Sequence, residues 1–184
     1  MMTHIAGELV AMAQHDLKIR DELSKSGKLS PGYNPDMEKV HRYNASRLEE
    51  IIDAIGYPSI EKVGREASDA AWLIVQHAIS EPNFMKKCYN LLSDDPNASP
   101  KQLAYLYDRL CYFEGRPQRY GTQFDKNCVY PIENLEEMKL LRKELQLEPR
   151  DEALIIEVKD KTAQSDLHRD NQEFNRWRKK VGWI

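Results

Sequence analysis

Chemistry is expected where polar side chains interrupt apolar helical stripes, because a buried polar group left without a partner costs about 1 to 3 kcal/mol. Asp16 takes a place between Met12 and Ile19 that the first stripe reserves for an apolar side chain. Asn44 does the same between Val40 and Leu48, with His41 one turn earlier. His77 closes the most apolar segment, beside Leu73 and Ile74, and Asp108-Arg109 follows Leu103, Leu106 and Tyr107. Gathered around one pocket, these residues offer a histidine base oriented by an aspartate. His77, Asp108 and His41 are therefore the catalytic candidates, and Asp16, Asn44 and Arg109 candidates for holding a ligand. The plainer alternative stays open: the same groups can satisfy one another and tie helices together.

A second cluster lies in the run Gln118-Arg119-Tyr120-Gly121-Thr122-Gln123, which puts two amides, a phenol, a hydroxyl and a glycine into one short loop. Gln118, Tyr120, Thr122 and Gln123 can read a polar ligand by hydrogen bonds, and the loop is expected to lie beside His77 and Asp108. Loops are usually polar and the glycine can serve the turn alone. Histidine and aspartate are good metal ligands and leave a metal site open as a minor alternative, but neither HxxxH nor HExxH spacing occurs to support it, so no residue is assigned to a metal and the sequence names no cofactor. Nucleophilic catalysis and nucleotide binding have less support, since GxSxG, P-loop and GxGxxG patterns are all missing.

The elements that must position these groups are mainly helical. Ile5, Leu9, Met12, Ile19 and Leu23 mark one face of a first helix, stopped by Gly27 and Pro31-Gly32. Asn34 as cap and Pro35 at the first helical position open a second, carrying Met37, Val40, Leu48, Ile51 and Ile55 up to Gly56. A central helix covers Glu66 to Ile79, and a fourth starts at Pro82 and breaks at Asp94-Asp95-Pro96-Asn97. Ser99-Pro100-Lys101-Gln102 reads as a capping box for a fifth helix reaching Glu114. The helical period is lost around residues 115–131, where an irregular or β-hairpin insert is expected, and Asn134 with Glu137 starts another helix. Further helices are expected around Leu154 to Val158 and along Leu167, Phe174, Trp177 and Val181.

Composition narrows the classes. With 184 residues the chain can bury one substantial core, and a net charge of −3 gives no global attraction to nucleic acid. The longest apolar run, Ala70 to Val75, falls far short of the roughly 20 residues of a membrane span, so no membrane partner is expected. The start of the chain lacks the pattern of a secretory signal, which makes a cytoplasmic location the expectation. Cys88, Cys111 and Cys128 are odd in number and without CxxC spacing, the pattern of buried, unbridged thiols in a reducing compartment. Arg176-Trp177-Arg178-Lys179-Lys180 reads as cations favoured by a helix C-terminus.

Tyr57-Pro58, Val63-Gly64, the run from Ala70 to Ala78 (AWLxVQHA within it), Leu103 to Arg109 and Gly115 to Gln123 (QxYGTQ within it) together resemble the bacterial domain-of-unknown-function family 6624. Order and spacing match over roughly Gly7 to Leu147. The resemblance implies that His77, Asp108, Arg109, Gln118, Tyr120, Gly121, Thr122 and Gln123 lie on the family's motifs, and it supplies no reaction.

These readings give a mainly α helical bundle with a small insert, a family domain over residues 1–147 and a C-terminal helical extension over residues 148–184 packed on it. The leading functional expectation is a small enzyme or ligand-binding domain for a polar small molecule. The alternative is a protein-interaction module, an immunity or regulatory protein, whose partner contacts residues 148–184.

Overall fold

The structure is a computed structural model that describes residues 2–29, 33–125, 128–158 and 166–184. The chain divides into two compact units, Met1–Leu92 and Ser93–Ile184. Among the described residues there are eight helices and one two-stranded sheet, so the mainly helical fold with a small hairpin is borne out. None of these helices is long and apolar enough to cross a membrane.

The first unit is built from α1 (Met2–Lys25), α2 (Pro35–Ile55), a single turn α3 (Ile60–Val63), α4 (Arg65–His77) and most of α5 (Pro82–Ser93). α4 packs on α1 and α2, and α1 also packs on α2. The sequence fixes where α2 begins and ends. Asn34 accepts from the amides of Asp36 (2.8 Å) and Met37 (3.4 Å), Pro35 fills a position needing no amide donor, and Asp36 and Glu38 meet the positive end of the helix dipole. At the other end the Gly56 amide reaches the Ile52 carbonyl at 2.7 Å. The Pro31-Gly32 stop expected after α1 lies outside the described residues. Leu9, Met12, Met37, Ala45, Leu48, Ile51, Ala71, Ile74 and Val75 supply the buried apolar side chains, on the stripes their spacing implies. Arg47 adds a fork from α2 onto Glu8 of α1, at 2.5 and 3.1 Å.

The second unit holds α6 (Pro100–Glu114), strands β1 (Phe124–Asp125) and β2 (Cys128–Val129), α7 (Leu135–Glu144), a 3-10 turn (Glu152–Leu154) and α8 (Gln172–Val181). The caps read from sequence are in place: Ser99 accepts from the Gln102 amide at 3.4 Å and Asn134 from the Glu137 amide at 2.9 Å. α6 ends at Gly115 in the left-handed region (φ +73°), where a Cβ would sit 1.9 Å from an Asp166 carboxylate oxygen. β1 and β2 pair antiparallel, Phe124 with Val129 and Asp125 with Cys128.

One expected helix is absent. Beyond the 3-10 turn, residues 155–158 are extended: the Ile132 amide donates to the Ile156 carbonyl (2.9 Å) and the Val158 amide to the Ile132 carbonyl (3.0 Å). Ile155, Ile156 and Val158 are β-branched and suit this pairing, and Ile155 packs on the Val129, Ile132 and Met138 cluster. Arg178 lies in the last turn of α8, in keeping with its reading as a cation favoured by a helix C-terminus, but not at its surface. It is fully buried, donating to the Phe113 carbonyl at 3.1 Å and to Asp166 and Asn175. His168 Nε2 lies 2.8 Å from the Tyr112 carbonyl oxygen, and Trp183 stacks on Phe113 with centroids 5.2 Å apart.

All three thiols are free, as expected, but only Cys88 and Cys111 are buried; Cys128 is exposed on the hairpin. Burial pushes both buried thiols up to about 12. A thiol-specific chromogenic reagent at neutral pH should therefore label one cysteine per native chain quickly and three after denaturation without reductant. Rapid labelling of a second thiol in the native protein would contradict this burial.

Candidate functional site

In the first unit, three helices bring Asp16, His41 and His77 into direct contact. Asp16 sits on α1 between Met12 and Ile19, so the apolar periodicity that buries this face also carries its carboxylate inward, leaving the side chain 1% exposed. His41 is on the inward face of α2, 7% exposed, and His77 is the last residue of α4, 19% exposed. His77 Nδ1 lies 3.0 Å from Asp16 Oδ1, and His41 Nε2 lies 3.2 Å from Asp16 Oδ2. The imidazole centroids are 5.1 Å apart, with the rings tilted by 45°.

The two contacts differ in kind. Between His77 and Asp16 the alignment is that of a hydrogen bond. The His41 to Asp16 approach lacks that alignment, so Asp16 Oδ2 and His41 Nε2 are both buried without a hydrogen-bond partner. Burial by itself raises the Asp16 pKa, but the close contacts with His41 and His77 outweigh it and hold the carboxyl well below the usual carboxylate range. On the far side of His41, Nδ1 meets the Tyr33 hydroxyl at 2.6 Å, with the two rings stacked 5.7 Å apart. Burial keeps that phenol far above its ordinary pKa, and it stays protonated. Asn44, one turn along α2 from His41, directs its amide at the Met12 carbonyl at 3.5 Å. It ties α2 to α1 next to the cluster.

Asp108 belongs to the second unit, where four donors surround its fully buried carboxylate. The amides of Arg119 (2.9 Å), Tyr120 (3.0 Å) and Thr122 (2.9 Å) and the Thr122 hydroxyl (2.9 Å) all point at it. Burial still pushes this carboxyl above its ordinary pKa against those bonds. Gln118, also fully buried, donates to the carbonyls of Gln123 (2.9 Å) and Tyr130 (2.7 Å) and accepts from the Gln123 amide (2.8 Å). The Gln123 side chain bridges the Thr122 hydroxyl (3.1 Å) and Arg109 (3.3 Å). Gly121 turns the loop at φ +65°, and its carbonyl accepts from Arg142 (3.2 Å) and Arg150 (3.0 Å). Tyr120 packs edge-on against Tyr107, with centroids 6.0 Å apart.

These two sets differ in what they leave available. The polar capacity of Asp108, Gln118 and Thr122 goes into holding their own loop, the bland role the sequence left open. Asp16, His41 and His77 leave buried polar atoms unused and one imidazole at the surface. Such an arrangement can exchange protons with a bound molecule or ligate a cation. Tyr33 is a site residue that sequence reasoning did not single out, since it stands in an aperiodic connection before α2. The grouping of three potential cation ligands was likewise hidden, because the donors come from separate helices at spacings no short motif describes.

The family profile described as "Family of unknown function (DUF6624)" matches residues 3–163, which leaves most of the segment carrying α8 outside it. No curated protein and no solved structure matches the chain.

Proposed function

From a chain that belongs to the family of unknown function DUF6624, we propose a small enzyme or ligand-binding protein for a polar small molecule, worked by Asp16, His41 and His77. The observation that carries this reading is the buried pair of polar atoms without hydrogen-bond partners, Asp16 Oδ2 and His41 Nε2, beside a partly exposed His77. A protein pays to leave such atoms unsatisfied, and a ligand that meets them recovers the deficit on binding. His77 is the point of access, Asp16 and His41 form the floor, and Asn44 holds α1 and α2 at the spacing the floor needs.

In the second unit Asp108, Gln118 and Thr122 hold their own loop, and Arg109, Tyr120 and Gln123 are its partly exposed members. Docking of a protein partner through residues 148–184 is the second reading: Arg178 and Trp183 are buried there, while Leu154, Ile156 and Ile184 are exposed.

Protein purified gently from its native host, then denatured, should release a polar small molecule identifiable by mass spectrometry. His77→Ala purified in parallel should release none. Equal amounts of the same molecule from both would overturn the assignment to this cluster.

A further inference from the structure

We infer that Asp16, His41 and His77 are the protein ligands of one divalent transition-metal ion of the zinc type. This rests on the reading of the cluster as the working centre and names the cofactor that centre takes. The donor set comes first. Two imidazole nitrogens and one carboxylate oxygen suit zinc, cobalt or ferrous ion, whereas magnesium and calcium prefer oxygen alone.

Geometry agrees with the donors. Each residue offers one ligand atom, and these atoms all lie within 4.8 Å of one another. Bonds of about 2.0 to 2.2 Å in a tetrahedral shell put neighbouring ligand atoms about 3.3 Å apart. The two imidazoles approach the two oxygens of the same carboxylate, His77 Nδ1 at 3.0 Å from Asp16 Oδ1 and His41 Nε2 at 3.2 Å from Asp16 Oδ2, so one edge of such a shell is in place whichever oxygen is the ligand. The other edges need a movement of the imidazoles, and His77 is the more exposed of them and the freer to turn inward.

Burial and orientation supply the independent support. Asp16 and His41 are both buried, and their facing atoms, Oδ2 and Nε2, have no hydrogen-bond partner. The Tyr33 hydroxyl on His41 Nδ1 is the outer partner that a metal-bound imidazole requires to fix its orientation and leave Nε2 unprotonated. On binding, His77 changes tautomer: its proton moves from Nδ1 to Nε2 and the freed Nδ1 lone pair enters the metal bond. Three protein ligands leave a fourth position on the His77 side, where water or an oxygen atom of a polar molecule would bind.

The test uses the full chain stripped with a chelator and then dialysed against Co2+ or Zn2+. Elemental analysis should find one ion per chain, and Co2+ should give visible absorption bands of a four- or five-coordinate nitrogen and oxygen site. His41→Ala and His77→Ala should weaken binding by more than about 100-fold, and Tyr33→Phe by about 10- to 100-fold, as expected of an outer partner. His15→Ala, which removes an exposed imidazole next to Asp16, should bind as wild type does. Circular dichroism shows which variants remain folded, and partly exposed His77 is the ligand whose removal disturbs the fold least. No stoichiometric ion in folded wild type, or unchanged affinity in folded His77→Ala, would overturn the proposal. If that happened while a His77-dependent small molecule were still released, the metal would be wrong and the site right; loss of both would remove the site itself.

Discussion

Asp108→Ala will destabilise the second unit by on the order of 4 kcal/mol, among the largest effects of any single substitution in this chain. The carboxylate is fully buried and accepts from three backbone amides and the Thr122 hydroxyl. Alanine strands the three amides in a place water does not reach, and each loses about 1 to 3 kcal/mol, part of which returns as the loop relaxes. Asp108→Asn keeps the shape but turns an NH2 group toward donors, so about half of the effect is expected. Thr122→Val removes one donor along with its share of the network and should cost about 1 kcal/mol. Urea unfolding in a Trp72→Phe background isolates the fluorescence of Trp177 and Trp183, which both lie in this unit. A loss below about 1 kcal/mol for Asp108→Ala would mean that the loop does not depend on the carboxylate.

The second large effect is expected in the first unit. Asp16→Ala should lower stability by about 3 kcal/mol and abolish binding at the cluster. The side chain is 1% exposed and faces both imidazoles, so its removal opens a cavity and takes the acceptor away from His77. Asp16→Asn can accept from only one imidazole and presents NH2 to the other, so it should lose binding while retaining much of the stability. Because Asp16 and His77 share a bond, Asp16→Ala/His77→Ala should be less damaging than the sum of the single changes, by about 1 kcal/mol. Strict additivity in thermal or urea unfolding would indicate that the two residues do not interact in solution.

Much of the scaffold was legible in the sequence, for physical reasons that can be named. Asn34-Pro35, Ser99-Pro100 and Asn134 cap helices through local hydrogen bonds, so their short sequences carried the starts of α2, α6 and α7. Polar residues inside apolar stripes pointed to Asp16, His41 and Asn44, because helical periodicity alone determines which face is buried. What local sequence did not reveal has a different origin. Residues 155–158 are extended because Ile132, far away in sequence, supplies their pairing, and Arg178 is buried because Phe113 and Asp166 receive its guanidinium. Local propensity contains neither fact. The same holds for Tyr33, whose place beside His41 follows from how the connection before α2 folds back.

The roles of the polar residues were the least legible part. The loop Gln118 to Gln123 and the cluster of Asp16, His41 and His77 look equally suited to hold a ligand as strings of residues. Only hydrogen-bond accounting separates them: Gln118 and Thr122 have their polar atoms occupied within the loop network, whereas Asp16 Oδ2 and His41 Nε2 do not.

The claim that the cluster is a working site and not a structural latch is tested most directly on His77→Ala, by measuring its melting temperature and its binding of the native small molecule or of Co2+ on one preparation. His77 is 19% exposed and makes one hydrogen bond to Asp16, so its loss should cost about 1 to 2 kcal/mol, a smaller shift than that of Asp16→Ala, because the space it leaves opens to water that can reach Asp16 Oδ1. The account predicts that smaller shift together with the loss of binding. A melting temperature lowered as far as that of Asp16→Ala, with binding intact, would contradict it.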